Sequence, residues 1–101
     1  MSDTTDTQGP YPIEVRLVSE SGIRDARTYV RLRGSSSFSP LPMTRISGDA
    51  HDGLWNVTLA GAPVDTVYEY YLEASDRDDS IVRLPSDAPT TWYTFRVMSS
   101  L

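Results

Sequence analysis

Residues 67–76 read Val-Tyr-Glu-Tyr-Tyr-Leu-Glu-Ala-Ser-Asp, and this stretch decides the fold. Tyr68, Tyr70, Leu72 and Ala74 occupy every second position, with Glu and Tyr between them. Side chains of a β-strand alternate between the two faces of the sheet, so a period of two predicts a strand with one buried face. No part of the chain has a sustained helical period. The sequence therefore predicts an all-β fold.

The same alternation recurs in further segments, which turn residues such as Asp52-Gly53 and Gly61-Ala62-Pro63 separate. These segments cover residues 12–18, 26–33, 38–46, 55–59, 81–84 and 93–98. About seven short strands at this spacing predict an antiparallel β-sandwich, because two sheets must pack face to face to cover their apolar faces. Pro40 and Pro42 place the segment 38–46 at a sheet edge or in a crossover, because proline donates no ladder hydrogen bond.

The inward positions of these strands form one predicted core. Its members are Ile13, Val15, Leu17, Val30, Leu32, Trp55, Val57, Leu59, Tyr70, Leu72, Ala74, Phe95 and Val97. Residues 1–10 are polar, end in Gly9-Pro10 and lack the basic and apolar regions of a signal peptide, so we expect a flexible interdomain linker there. The sandwich is expected to span residues 11–101. A linker at the start suggests a piece of a longer chain.

The composition excludes several classes of function. With 101 residues the chain has room for one domain, and its net charge of −5 argues against binding of a nucleic-acid backbone. The absence of cysteine excludes disulfides, thiol nucleophiles and cysteine-ligated zinc, and a single histidine excludes a histidine-rich metal site. No apolar run approaches the roughly 20 residues that span a bilayer. We expect no cofactor and no membrane insertion.

Residues 67–76, Leu84-Pro85 and the closing Tyr93-Thr94-Phe95-Arg96-Val97 resemble the last strands of bacterial fibronectin type III-like and immunoglobulin-like modules. The middle strands of that pattern fit Leu41-Pro42-Met43-Thr44 and Gly53-Leu54-Trp55-Asn56-Val57-Thr58-Leu59. The resemblance implies a two-sheet sandwich that serves as an accessory unit of a secreted or cell-surface bacterial enzyme or adhesin. It also implies that Tyr68 is a corner tyrosine, whose hydroxyl ties a loop to the backbone.

A weaker resemblance concerns the early-set sandwich found beside starch- and glycogen-acting enzymes. Pro42-Met43-Thr44-Arg45, Asp52-Gly53-Leu54-Trp55 and Tyr68-Glu69-Tyr70 are similar to it. Some members of that family bind α-glucans through a tryptophan before the Pro-Met strand. Here the corresponding stretch is Ser35-Ser36-Ser37-Phe38-Ser39, which has no tryptophan and departs from the glucan-binding pattern.

One face of the predicted sheet carries the candidate binding residues. The outward positions of the segment 26–33 are Arg27, Tyr29, Arg31 and Arg33. If this strand neighbours the strand at 68–74, it faces Glu69, Tyr71 and Glu73, and the last strand adds Trp92, Thr94 and Arg96. One interpretation is a partner-binding face formed by Tyr29, Arg31, Tyr71 and Trp92, because such residues are enriched at binding hot spots. The other, which opposite charges favour, is a ladder of Arg–Glu pairs with the rings covering backbone.

Two polar loops contain residue types that occur in reactive sites. The loop at residues 76–79 offers three aspartates, with Glu73 nearby, as oxygen ligands for Ca²⁺, but it lacks the glycine and distal glutamate of an EF-hand and fits a solvated turn. His51 lies between Asp49 and Asp52 in a loop tip, a poor place to hold a base rigidly. We therefore predict no catalytic residue and no metal site.

The sequence thus predicts a non-catalytic accessory module. Its expected role is that of a spacer, scaffold or protein-interaction domain in a longer secreted or cell-surface protein, with a neighbouring domain or another protein as partner. The alternative is a carbohydrate-binding module with Trp92, Tyr71 or Tyr29 as the stacking platform for a glycan. A third interpretation is an enzyme fragment that a missing domain completes.

Overall fold

Every element of regular structure in the described part of the chain is a β-strand. A computed structural model describes residue 1 and residues 3–98. Its strands are β1 (Tyr11–Val18), β2 (Ile23–Leu32), β3 (Ser39–Pro42), β4 (Thr44–Gly48), β5 (Asp52–Leu59), β6 (Val67–Asp76), β7 (Ile81–Leu84) and β8 (Tyr93–Arg96). These residues contain no helix with the length and hydropathy of a membrane span. The predicted all-β fold is confirmed, with one strand more than expected.

The strands form two antiparallel sheets, as the sequence predicts. The smaller sheet has the order β1-β5-β4, and the larger one has the order β3-β2-β6-β7. β7 and β8 share one side of β6: β7 pairs with residues 72–75 and β8 with residues 67–70. β6 therefore lies in the middle of the larger sheet and is paired along nearly its whole length, so its residues are buried or half-buried on both faces.

The additional strand arises because the segment 38–46 divides at Met43. β3 forms an edge of the larger sheet and β4 forms an edge of the smaller one, so the chain crosses between sheets at this residue. Met43 is buried, and its N–H donates to the carbonyl oxygen of Ala26 at 2.9 Å. The segment is therefore both an edge and a crossover. The outer side of an edge strand needs no donors, which makes Pro40 and Pro42 tolerable there.

The core lies between the sheets and contains most of the predicted residues. Its buried members are Tyr11, Ile13, Leu17, Ala26, Met43, Trp55, Leu59, Ala62, Tyr70, Leu72, Ala74, Phe95 and Val97. Val15, Val30 and Val57 pack against it and are half-buried. Leu32 was wrongly placed in the core: it is exposed and lines a surface cavity with Asp65 and Thr66. The alternation along β2 predicts that Leu32 lies on the inner face of the larger sheet. It does not show whether the smaller sheet is long enough to cover Leu32.

Two tyrosine hydroxyls anchor the loops at one end of the core. Tyr68 Oη donates to the carbonyl oxygen of Ala60 at 3.0 Å, eight residues upstream, as expected of a corner tyrosine. Tyr11 Oη donates to the carbonyl oxygen of Asp6 at 2.6 Å and accepts the N–H of Ala62 at 3.1 Å. The connection between β5 and β6 is thus held to the sheets by side chains on both of them.

Replacing Tyr68 with phenylalanine is expected to lower the free energy of unfolding by about 1 kcal/mol, because the ring stays and one hydrogen bond is lost. Urea titration of the wild-type chain and the variant measures this difference. Tyr93→Phe is the matched control, since the Tyr93 hydroxyl has no hydrogen-bond partner among the residues described. Equal losses in the two variants would contradict the corner assignment.

The N-terminal segment runs beside β8 before it enters β1. Thr4 forms an isolated parallel bridge with Val97, and its carbonyl oxygen accepts the N–H of Met98 at 2.7 Å. Asp3 Oδ1 accepts the N–H of Arg96 at 2.9 Å. The flexible linker at residues 1–10 and the domain boundary at residue 11 stay predictions. Ser2, within the expected linker, and residues 99–101, within the expected domain, lie outside the described residues.

Candidate functional site

The register of the larger sheet brings the predicted stripe together. β2 and β6 pair Arg27 with Glu73, Tyr29 with Tyr71 and Arg31 with Glu69. β8 then pairs Thr94 with Glu69 and Arg96 with Val67. We call the outward side of this sheet the outer face; it comprises Arg27, Tyr29, Arg31, Arg33, Phe38, Glu69, Tyr71, Glu73, Trp92, Thr94 and Arg96. Apart from Phe38, these are the positions that the sequence predicts to share one face, and the pairing of β2, β6 and β8 brings them together.

The carboxylate of Glu69 is the centre of the outer face. Although it points away from the core, the residue is only 5% exposed, because β6 is flanked on both sides. Its Oε1 accepts the Nε–H of Arg31 at 2.8 Å, and its Oε2 accepts the Nε1–H of Trp92 at 3.1 Å and the Nε–H of Arg33 at 3.4 Å. Three donors, one on β2, one just after it and one just before β8, thus converge on one buried anion.

These donors decide the protonation state of Glu69. Burial acts to raise the pKa of its carboxyl group, since it penalises the charged form. The hydrogen bonds and charge of Arg31, with the further bonds from Arg33 and Trp92, outweigh burial, and the pKa of Glu69 lies below its ordinary value. Glu69 is therefore a fixed anion at neutral pH. It holds donors in place and has no proton to give as a general acid.

Aromatic rings surround the guanidinium of Arg31. Its Cζ lies 4.0 Å from the ring centroid of Phe38 and 4.7 Å from that of Trp92, both within the range of a cation–π contact. The ring of Phe38 meets Tyr71 edge to face with centroids 4.9 Å apart. Tyr71 stacks on Tyr29 with centroids 4.8 Å apart and an interplanar angle of 7°. The rings and the guanidinium thus form one continuous cluster.

The four predicted binding residues lie together but differ in accessibility. Trp92 is 37% exposed, and Tyr29 and Arg31 are half-buried. Tyr71 is buried beneath Tyr29 and Phe38. A partner would therefore meet Trp92 first, with Tyr29 and Arg31 beside it.

Phe38 belongs to the same cluster and was missed as a site residue. In the sequence it begins an edge segment rich in serine and proline, which gives no sign of a binding role. The pairing of Val30 with Ser39 places Phe38 opposite Arg31. Phe38 could have been identified from this position opposite Arg31. The position depends on the register between β2 and β3, which the sequence does not specify.

The predicted ladder of Arg–Glu pairs is present in part. Besides the contacts of Glu69, Glu73 Oε2 accepts the Nε–H of Arg83 at 3.0 Å. Arg27, which stands opposite Glu73, instead approaches Asp25 at 3.9 Å. The two interpretations of the stripe therefore overlap: opposite charges are paired, and Glu69 of this network also holds the exposed Trp92 at the surface.

The loop at residues 76–79 engages two of its three carboxylates, those of Asp76 and Asp79, in contacts within the protein. Asp76 Oδ1 accepts the N–H groups of Asp78 and Ser80, each at 3.0 Å. Asp79 forms an ion pair with Arg24. Across residues 1 and 3–98, no group of three or more His, Cys, Asp and Glu side chains is arranged to hold a metal ion.

Side chains in the loop of His51 form hydrogen bonds with backbone groups. The ring Nδ1 lies 3.0 Å from the carbonyl oxygen of Glu20 and 3.2 Å from that of Ser19. Asp49 Oδ1 accepts the N–H groups of His51 and Asp52, and these bonds lower the pKa of Asp49. The carboxylate of Asp52 accepts hydrogen bonds from Arg16 of β1 rather than from the His51 ring. His51 thus links two turns of the fold.

A scan against models of protein families finds no match for this chain, and a search of curated proteins finds none either. What defines its class is the structure itself: a domain of two antiparallel β-sheets with an arginine-rich aromatic cluster on one outer face. The likeness to fibronectin type III-like and immunoglobulin-like modules stays a prediction.

Proposed function

We propose that this chain is a non-catalytic accessory module that binds a protein partner through the outer face. The observation that carries the proposal is the setting of Trp92, whose exposed indole is held by the carboxylate of Glu69 and the guanidinium of Arg31. Tryptophan, tyrosine and arginine are the residues most enriched at hot spots of protein interfaces. A side chain that is already fixed loses little conformational entropy on binding, which favours affinity.

The ring geometry favours a protein partner over a glycan. A sugar stacks on an open ring face, whereas Tyr71 is covered by Tyr29 and one approach to Trp92 is occupied by Arg31. A protein surface instead makes use of ring edges and charged groups together. Arginines outnumber glutamates on the outer face, although the whole chain has a net charge of −5. We therefore expect the partner to present an apolar pocket for Trp92 with an acidic rim.

The module has a second role in this proposal, that of a spacer within a longer secreted or cell-surface bacterial protein. The resemblance to bacterial accessory modules supports this setting. The longest dimension of the sandwich is 47 Å, and its two sheets pack against a common core. Such a unit separates neighbouring domains by a fixed distance while its outer face remains open to a partner.

Trp92→Ala is the variant that tests the binding face. The wild-type chain, Trp92→Ala and Tyr93→Ala are immobilised and exposed to the secreted proteins of the native host. A protein captured by the wild-type chain is identified, purified and titrated against all three by calorimetry. We expect at least about tenfold weaker binding for Trp92→Ala, because a hot-spot residue is lost. Tyr93→Ala removes the adjacent and similarly exposed ring, which packs on Tyr70 instead, and should bind normally.

Parallel measurements separate the alternatives. Starch, glycogen, cellulose and xylan are tested by affinity electrophoresis with the same three proteins. Retardation that disappears only in Trp92→Ala would establish the carbohydrate-binding alternative in place of a protein partner. Equal capture of the protein by all three variants would show that the outer face is not the binding surface. Hydrolysis of a substrate by the isolated chain would contradict a non-catalytic role.

A further inference from the structure

The backbone of β1 has one unpaired side. Within residues 1 and 3–98, β1 is an edge of the smaller sheet and pairs only with β5. Just beyond this ladder, Ser19 N–H donates to the carbonyl oxygen of His51 at 2.8 Å. Because backbone groups of an antiparallel strand point alternately to either side, the odd-numbered residues of β1 bond to β5. The N–H and carbonyl groups of Glu14, Arg16 and Val18 therefore point outward, towards the free edge.

Apolar surface lies along the same side of the sandwich. Val18 of β1 is 68% exposed, and Ile81 and Val82 of β7 are 55% and 58% exposed. Between the edges of the two sheets runs a groove with a cavity of about 360 Å³ beside Ile13 and Val15, and one of about 280 Å³ beside Val18 and Val82. Exposed apolar surface next to unpaired ladder groups marks an edge suited to accept another strand.

The charges along β1 indicate which strand it accepts. Glu14 and Arg16 are exposed on the same face of the strand, two residues apart. Arg16 is paired with Asp52, whereas Glu14 forms no ion pair with any of the residues described. Two antiparallel copies of this strand, centred on Val15, place each Glu14 opposite the other copy's Arg16. Opposite charges facing each other across antiparallel strands are stabilising, and like charges are destabilising.

We propose that two copies of the chain associate by antiparallel pairing of their β1 strands about a two-fold axis at Val15. On each side of the axis the backbones of Glu14 of one copy and Arg16 of the other then exchange both of their N–H···O bonds, and their side chains lie next to each other. The two smaller sheets join into one continuous sheet. A shift of the axis by one residue along the strand would place Glu14 against Glu14 or Arg16 against Arg16. The charges thus select one register among the symmetric alternatives.

The pairing of two β1 strands also brings the exposed apolar residues beside β1 close to those of the second copy. Val15 of each copy packs on its counterpart at the axis, and the two β7 strands approach one another below the joined sheet. Pro12 has no N–H to donate, which limits the ladder to the central part of β1. This association is independent of the proposed function, because the outer face lies on the other sheet and remains open.

Charge reversal tests the register directly. Glu14→Arg alone and Arg16→Glu alone each create two like-charged pairs and should weaken self-association at least about tenfold. An equimolar mixture of the two variants should form a heterodimer as stable as the wild-type dimer, because every pair is again opposite in charge. Glu20→Arg is the control: it changes the charge equally at an exposed turn and should dimerise normally. Sedimentation equilibrium from micromolar to millimolar concentration measures all four.

A cross-link provides a second test that does not depend on charge. The chain has no cysteine, so Val15→Cys introduces the only thiol. In the proposed register the two Val15 residues form a non-hydrogen-bonded pair with Cα atoms about 4.5 Å apart, within the range of a disulfide. Mild oxidation should give a covalent dimer of Val15→Cys and leave Val18→Cys monomeric. A wild-type chain that stays monomeric at millimolar concentration, or charge variants that do not re-associate on mixing, would overturn the proposal.

Discussion

Replacing Phe95 with alanine is expected to lower the free energy of unfolding by about 3–5 kcal/mol. Phe95 is fully buried on β8 and lies among three tyrosine rings of other elements. Its centroid is 5.0 Å from that of Tyr68, 5.4 Å from that of Tyr11 and 6.2 Å from that of Tyr70. The substitution leaves a cavity and removes these contacts.

The expected loss is measured by urea denaturation followed through tryptophan fluorescence and circular dichroism. Thr94→Ala is the control, because Thr94 is the adjacent residue of β8 and is exposed on the outer face. It should change the free energy of unfolding by less than about 0.5 kcal/mol. A loss below about 1 kcal/mol for Phe95→Ala would show that the tyrosines do not form a common core with β8.

The features that the sequence predicts correctly depend on local patterns. Alternation identifies the strand around Tyr70 because neighbouring residues on one strand must point to opposite faces. That Arg31 and Glu69 lie on the same face follows once β2 and β6 are neighbours, since every second residue of a strand points to one face, whereas their direct pairing is set by the register that the structure shows. In the sequence that neighbour relation is only a condition, and the pairing of β2 with β6 meets it.

The features that the sequence misses depend on the extent and register of distant elements. Leu32 continues the inward pattern of β2, but whether the opposite sheet covers that point depends on where β4 and β5 lie. Phe38 joins the candidate site only through the pairing of β3 with β2. The convergence of three donors on Glu69 likewise depends on side-chain conformations from three segments, which no spacing in the sequence specifies.

Replacing Glu69 with glutamine is expected to lower the free energy of unfolding by about 3 kcal/mol at neutral pH, the lower end of the range for breaking a buried ion pair. The amide keeps the shape of the side chain but leaves the guanidinium of Arg31 without its anion in a site that is mostly closed to water. The matched control is Glu73→Gln on the same strand. Among the described residues Glu73 forms an ion pair with Arg83 alone, and Arg83 is exposed, so Glu73→Gln should lower the free energy of unfolding by less than about 1 kcal/mol.

The pH dependence of this difference identifies the carboxylate as its cause. The pKa of Glu69 is lower in the folded chain than its ordinary value of about 4.3 in an unfolded one. A group whose pKa is depressed by folding contributes its full stability above the unfolded pKa and loses it as the pH falls through the folded pKa. The gap in unfolding free energy between the wild-type chain and Glu69→Gln should therefore be constant from pH 7 to about pH 5 and then narrow in acid. A difference that persists unchanged to pH 2 would mean that the charge of Glu69 does not hold Arg31 and Trp92 in place. The binding proposal depends on a fixed position of Trp92, and ring packing alone would then have to provide it.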